Sequence, residues 1–235
     1  MDQLKLSKIQ IALYFDKNSE IEDNDFFKER MIKLGFEKNN STKFSINNLP
    51  ENTQYIICQK LNLVLQISQN RLDIINQNLE NEKKSYEDYI KESLSQIEII
   101  YQVFDHQKIN INRLGFVFSY LSLIEDDSEF KKIIEEIQNK FLVVNKRKKN
   151  IQIFNLAIQE KKDDFLENTD IQCTQAEMTT NNENGLVEKK PVKFVGIAKD
   201  FVFKEGKIYE KNMIINNFKE VSELCTQEKI NEILQ

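Results

Sequence analysis

The stretch that decides the fold reads SYEDYIKESLSQIEIIYQVF at residues 85–104 and, after a short polar turn, INRLGFVFSY at residues 111–120. Its first part repeats apolar residues at helical spacing, whereas its second part alternates apolar with polar residues as a strand does. A helix with one apolar face that leads into such a strand predicts helices packed on a sheet.

This helix and strand each have a defined apolar face. Ser85 and Asp88 have the spacing of a capping box, in which each side chain bonds the backbone of the other residue and the helix begins. The apolar stripe of the helix consists of Tyr86, Ile90, Leu94, Ile97, Ile100, Tyr101 and Phe104. The inward face of the strand, predicted at 110–121, consists of Leu114, Phe116, Phe118 and Tyr120.

The rest of the chain mixes strands and helices without regular alternation. Apolar patterning and turn signals predict strands at 8–15, 42–47, 54–60, 61–68, 71–77, 151–159, 170–179 and 192–203. Apolar residues at helical spacing predict further helices at 25–34, 128–141 and 214–234. This order favours an α+β fold, with a largely antiparallel sheet and amphipathic helices packed on one face of it.

The second part of the chain is richer in predicted strands than the first, which suggests two lobes. We predict an α+β domain at 1–145 and a β-rich second lobe with a C-terminal helix at 146–235. The predicted seam is the basic segment Lys146–Asn150. One continuous domain is the alternative, because 235 residues are within the range of a single large domain.

Composition argues against several classes of function. A formal charge of −5 disfavours broad nucleic-acid binding. Five glycines are too few for the loops that hold phosphates, and no cofactor motif occurs. The three cysteines are far apart, without the spacing of a metal site or a disulfide framework. From these absences we expect neither a cofactor nor a metal. No apolar run has the length of a signal peptide or membrane span, so we expect a cytoplasmic protein.

The stretch from RLDIIN (residues 71–76) through INRLGFVFSY resembles a known family. This is a large, sporadically distributed family of uncharacterised microbial proteins of about this length. In it, a helix with a tyrosine-rich start precedes a strand reading Arg-ϕ-Gly-Leu-Arg-Tyr-ϕ-Asn, where ϕ is apolar. Arg113, Leu114 and Gly115 match the signature, while Val117 and Tyr120 replace its second Arg and its terminal Asn. The resemblance implies the order of elements and supplies no reaction.

Arg113 and Gly115 are the sharpest candidates for a binding site. On a strand, both lie on the face opposite to that of Leu114 and Phe116. One interpretation is an anion or carboxylate contact by the arginine, beside a glycine that allows close approach. The other is an ordinary arginine on the sheet surface with a packing glycine.

The only basic run is a second candidate binding site. It consists of Lys146, Arg147, Lys148 and Lys149. Such a run has the charge to contact phosphates, but a solvated loop between elements has the same composition.

Two acidic residues and the single histidine offer little chemistry. Glu160, followed by two lysines at the end of a predicted strand, is similar to half of a restriction-type nuclease site. Such a site also needs an upstream acid, and the candidate Asp127 belongs to a predicted helix start. His106 follows the main helix, where a histidine meets the helix dipole favourably.

Missing catalytic motifs, negative charge and several strand edges favour a binding protein. We therefore predict a non-catalytic cytosolic protein whose partner is another protein. It would be an inhibitor, an immunity protein or an accessory protein of a mobile element or of a defence or counter-defence system. The alternative is a nucleic-acid-binding or nuclease-like protein that uses the 146–149 run with Arg113 and Glu160. A small-ligand pocket between the main helix and the sheet is a third interpretation.

Overall fold

The computed structural model describes residues 4–16, 42–43, 54–58, 63–68, 70–77, 84–106, 109–141, 154–181 and 187–234. In this part of the chain, nine strands form one antiparallel sheet and four helices accompany it. The predicted α+β fold is confirmed. None of the helices within these ranges is long and apolar enough to cross a membrane.

The sheet consists of two meanders that flank a central pair of strands. They are β1 (Lys5–Phe15), β2 (Thr42–Lys43), β3 (Gln54–Cys58), β4 (Leu63–Ser68), β5 (Arg71–Gln77), β6 (Ile111–Ile124), β7 (Phe154–Lys161), β8 (Phe165–Asn181) and β9 (Val187–Phe203). Their spatial order is β2-β3-β4-β5-β1-β6-β9-β8-β7, and all neighbours are antiparallel. β1 therefore lies between β5 and β6, and β6 joins the early strands to the late ones.

The helices cover one side of the sheet. They are α1 (Tyr86–His106), α2 (Asp127–Phe141), α3 (Lys211–Glu223) and α4 (Gln227–Leu234). On that side, Phe104 of α1 meets Phe15 of β1 at a centroid distance of 5.4 Å. Phe218 of α3 lies 5.5 Å from Phe116 and 5.8 Å from Phe118, both on β6. The core is thus an aromatic and aliphatic layer between helices and sheet.

The start of α1 is the predicted capping box. Asp88 N–H donates to Ser85 Oγ at 3.1 Å, and Ser85 N–H donates to Asp88 Oδ2 at 3.3 Å. The hydrogen bonds from Ser85 lower the pKa of Asp88. α2 begins in a similar way, because Glu129 N–H donates to Asp126 Oδ1 at 2.7 Å. Both helices therefore begin within one residue of their predicted starts.

The buried side of α1 differs from the predicted stripe. Tyr89, Ser93 and Gln96 are buried, whereas Tyr86 and Ile90 of the predicted stripe are only partly buried. The physical reason is a polar contact with the sheet. Asn76 of β5, itself 1% exposed, donates to Ser93 Oγ at 3.1 Å and to the Tyr89 carbonyl at 3.2 Å. Hydrophobic periodicity does not reveal such a contact, because a serine contributes nothing to an apolar stripe.

The prediction of one final helix at 214–234 is wrong. Helix α3 ends at Glu223, and Leu224 and Cys225 close it with i→i+3 bonds from their N–H groups to the carbonyls of Val221 (3.1 Å) and Ser222 (3.0 Å). Two tyrosines stabilise this end, because Tyr86 Oη donates to the Ser222 carbonyl and Tyr120 Oη to that of Cys225. α4 then starts at Gln227.

The other boundaries agree with the prediction to different degrees. β5 spans the predicted range, while β8 starts five residues before the predicted strand at 170–179 and β9 five residues before the one at 192–203. The predicted helix 25–34 lies outside the described residues.

β6 pairs with β9 over Gly115–Ile124, so one sheet contains strands of both predicted lobes. The seam at 146 is also outside the described residues, and the division into lobes stays a prediction.

Candidate binding face

We call the side of the sheet that points away from the four described helices the open face. Strand register places on it Gln10, Ala12 and Tyr14 of β1, Arg71 and Asp73 of β5, Arg113, Gly115 and Val117 of β6, and Asp200 of β9. The predicted candidates Arg113 and Gly115 are therefore part of a wider surface, as the alternation along β6 requires.

Two arginines flank a tyrosine at one end of the open face. Tyr14 is directly opposite Arg71 on β5 and directly opposite Arg113 on β6. Each guanidinium carbon lies 5.0 Å from the centroid of the Tyr14 ring, which is the geometry of a cation–π contact. We call these three residues the arginine–tyrosine row.

Arg71 is firmly held by a buried carboxylate. Its Nε and Nη2 donate to Asp73 Oδ1 at 3.0 and 2.8 Å, and Gln10 Nε2 donates to the same oxygen at 3.1 Å. Asp73 is 2% exposed. Burial acts to lower the pKa of Arg71, but the hydrogen bond and charge of Asp73 outweigh it, and the pKa is raised.

Arg113 is held much more loosely. Its Nη1 donates to Glu205 Oε1 at 2.8 Å, and the Glu205 side chain is 72% exposed. An ion pair in this setting contributes little free energy, because water screens it and both side chains lose freedom. Arg113 can therefore exchange Glu205 for a carboxylate on another molecule at little cost.

Gly115 is not a position where only glycine fits. A Cβ built on it would lie 3.5 Å from the Cβ of Ala12 and 3.8 Å from the carbonyl oxygen of Phe201, both ordinary contacts. Together with Ala12, which is its partner on β1, Gly115 forms a strip of small residues between taller side chains. The sequence interpretation was that a glycine is needed at 115 to allow close approach. Contacts within the chain do not require it, because a larger side chain fits there.

A half-buried carboxylate lies two strands from Tyr14. Asp200 of β9 is opposite Val117 of β6 and Asn168 of β8, and Asn168 Nδ2 donates to it at 3.5 Å. Burial raises the pKa of Asp200, and nearby Asp170 adds to the effect, while the hydrogen bond from Asn168 and the charges of Arg71 and Arg113 oppose it. Arginines and aspartates are thus interleaved on the open face.

The far end of the open face is apolar. Leu121 and Leu123 of β6 are 38% and 52% exposed, and Leu123 is directly opposite Phe194 of β9. Leu121 lies over Gly196, because its Cδ1 would be 3.9 Å from a Cβ at that glycine. We call Leu121, Leu123 and Phe194 the leucine patch.

Of the remaining candidates, those that the structure describes are not on this surface. Lys146, Arg147, Lys148 and Lys149 lie outside the described residues. Glu160 is exposed on β7 and pairs with Lys162 at 2.6 Å, whereas Asp127 begins α2 and pairs with Lys193 of β9. His106 was predicted to follow the main helix, but it is the last residue of α1, which extends two residues beyond the predicted end at 104.

The two cysteines whose side chains the structure describes are poorly suited to nucleophilic chemistry. Cys173 and Cys225 are fully buried. Burial raises the pKa of the Cys173 thiol to about 12 and raises that of Cys225 as well, so both stay protonated at neutral pH. Within the described ranges, no cluster of histidine, cysteine or acidic residues has the arrangement to hold a metal ion.

Sequence reasoning missed Tyr14, Arg71 and Asp200 as neighbours of Arg113. The alternation in KIQIALYF at residues 8–15 places Tyr14 on the polar face of its strand, so that part of the signal was present. The missing information was the register. Arg71 and Arg113 meet across Tyr14 only because β1 is inserted between β5 and β6.

No family model and no curated protein matches the chain. Among solved structures, the chain is similar to a rolling circle replication initiator protein from Geobacillus stearothermophilus, with 9% sequence identity and a TM-score of 0.30. The match covers 94% of this chain and 79% of the initiator. At this TM-score the similarity supports no conclusion about this chain.

Proposed function

We propose that the chain is a binding protein that recognises another protein through the open face of its sheet. The arginine–tyrosine row and the leucine patch are the two contact regions. This role belongs to the class of inhibitors, immunity proteins and accessory proteins that the sequence favours.

The observation that carries the proposal is the extent and composition of this face. Arg113 and the exposed Leu123 are ten residue steps, about 33 Å, apart along β6, a distance that one partner protein can span and a small ligand cannot. Tyrosine, arginine and phenylalanine are the residue types enriched in such interfaces. The leucine patch supplies exposed apolar surface that a partner can bury.

The charge pattern of the open face favours a protein over a nucleic acid. Arg71 and Arg113 are accompanied by Asp73 and Asp200, so the face lacks the continuous positive potential that a phosphate backbone requires. The alternative, a nucleic-acid-binding role, depends on the 146–149 run. Its test is a gel shift at low salt with and without neutralisation of that run.

The experiment that tests the proposal is affinity capture with matched variants. The tagged full chain is used as bait in a lysate of the organism that encodes it, and captured proteins are quantified by mass spectrometry. Arg113→Glu and Leu123→Glu alter the two ends of the open face. Lys132→Glu on α2 makes the same charge change on the helix side, and Met213→Glu on α3 makes an apolar-to-acidic change there.

We expect a partner that the wild type and both helix-side variants retain and that both open-face variants lose by about tenfold or more. Arg113→Glu removes the cation that would contact the partner. Leu123→Glu places a carboxylate where the partner would bury it without a hydrogen-bond partner. Equal capture by all five proteins would contradict the proposal. Capture that disappears after nuclease treatment would favour the nucleic-acid alternative.

A further inference from the structure

Among the described strands, β7 ends the sheet, and none of them pairs with its outer edge. In the described part of the chain its only strand partner is β8. Charged side chains and proline are the usual features that prevent an edge strand from pairing with another chain. The middle of β7, Asn155–Gln159, contains neither. Asn155, Ala157 and Gln159 are exposed. An unprotected edge of this length is a template for another strand.

The turn between β7 and β8 shows which backbone groups point outward. Lys162 N–H donates to the carbonyl of Phe165 at 2.9 Å, so this is a hydrogen-bonded pair. Such pairs alternate along an antiparallel ladder, so the even-numbered residues of β7 bond to β8. The N–H and C=O groups of Asn155, Ala157 and Gln159 therefore point away from the sheet.

The side chains of this segment read the same from either end. The order is amide, aliphatic, alanine, aliphatic, amide in Asn155-Leu156-Ala157-Ile158-Gln159. In an antiparallel pair of two copies centred on Ala157, Asn155 of one copy is opposite Gln159 of the other, and Leu156 is opposite Ile158. All three outward-pointing residues then fall in hydrogen-bonded positions.

We propose that β7 pairs with β7 of a second copy of this chain, antiparallel and centred on Ala157, which joins the two sheets edge to edge. The two-fold axis is perpendicular to the sheet, so the helices of both copies lie on the same side. The open faces also become continuous. The inference is independent of the proposed function, because it rests on the edge and not on the face.

The first test removes the outward hydrogen bond without removing one to β8. Ala157→Pro deletes an N–H that points away from the sheet, a position where an edge strand accepts proline. Ala157→Val keeps the N–H and is the matched control. Sedimentation velocity is measured from micromolar to submillimolar concentration. We expect dimers of the 27.9 kDa chain for the wild type and Ala157→Val, and a dissociation constant about thirtyfold weaker or more for Ala157→Pro.

The second test probes the register through charge. One variant combines Asn155→Lys with Gln159→Lys, and the other combines Asn155→Glu with Gln159→Glu. In the proposed pair each variant places like charges opposite one another, so each is expected to be monomeric. An equimolar mixture places lysine opposite glutamate and is expected to restore the dimer. This test stands even if the proline variant does not fold.

Three results would overturn the proposal. A wild type that stays monomeric over the whole concentration range shows that the edge does not pair with itself. Folded Ala157→Pro that dimerises as well as wild type shows that the interface is elsewhere. Concentration-dependent growth beyond a dimer indicates open-ended pairing of β7 with another strand, such as β2 at the opposite edge.

Discussion

Arg71 and Arg113 contact the same tyrosine ring but have different roles, because different carboxylates hold them. Asp73 is buried and would be left as an unpaired charge without Arg71, whereas Glu205 returns to water without Arg113. Arg71→Ala is therefore expected to lower the free energy of unfolding by about 2 kcal/mol, and Arg113→Ala by less than about 0.5 kcal/mol. Urea denaturation of both variants measures the difference, and equal effects would contradict these assignments.

The raised pKa of Asp200 predicts a pH dependence with a definite sign. Burial disfavours the charged form, so the folded state binds the proton more tightly than the unfolded chain does. The contribution of Asp200 to stability is then complete below the ordinary pKa of an aspartate, about 3.9, and is lost as pH rises through the raised pKa.

Asp200→Asn removes this charge and keeps the shape of the side chain. It is expected to be more stable than wild type at neutral pH, and the difference should vanish in acid. Urea denaturation across a pH series measures it. An asparagine variant that is less stable at neutral pH would show that the hydrogen bond from Asn168 and the charges of Arg71 and Arg113 outweigh the burial of Asp200.

The hydroxyl of Tyr120 stabilises the turn between α3 and α4. It donates to the carbonyl of Cys225, a residue that is fully buried. Tyr120→Phe leaves that carbonyl without this partner and is expected to cost about 2 kcal/mol of unfolding free energy. Tyr101→Phe is the matched control, because among the described residues the Tyr101 hydroxyl has no hydrogen bond to lose. Thermal denaturation that does not separate the two variants would contradict this role.

At the scale of elements, Phe218 fastens α3 to the sheet. Its ring contacts Phe116 and Phe118 from above, and all three side chains are fully buried. Phe218→Ala is expected to cost about 3–5 kcal/mol, because the lost contacts leave a cavity between helix and strand. Met213→Ala on the exposed side of the same helix should change stability by less than about 0.5 kcal/mol. Chemical denaturation of this pair measures how much α3 depends on the aromatic contact.

The elements that the sequence predicted well are those with uninterrupted periodicity. β5 and the start of α1 follow from apolar alternation and a capping box, both of which are local signals. β8 was predicted to start too late because Glu167 and Thr169 occupy buried positions on its inward face. Glu167 is accommodated there by an ion pair with Lys199 of β9, a partner 32 residues away that local pattern cannot reveal.

At the scale of the whole molecule, strand order creates the candidate site. Arg113 and Gly115 were recognisable from their own strand, but Tyr14 and Arg71 join them only through the insertion of β1 between β5 and β6. Long-range register is not encoded in any short stretch of sequence. The same holds for the leucine patch, where Phe194 is brought beside Leu123 by pairing across 71 residues.

Hydroxyl-radical footprinting of the complex with a captured partner shows whether the partner binds the open face, because it reports the exposure of individual side chains. We expect Tyr14, Leu121 and Leu123 to be protected when the partner is bound, while Met213 on α3 is modified as in the free chain. Protection of Met213 with unchanged modification of Leu123 would contradict this expectation, because the partner would then be bound to the helices and not to the open face.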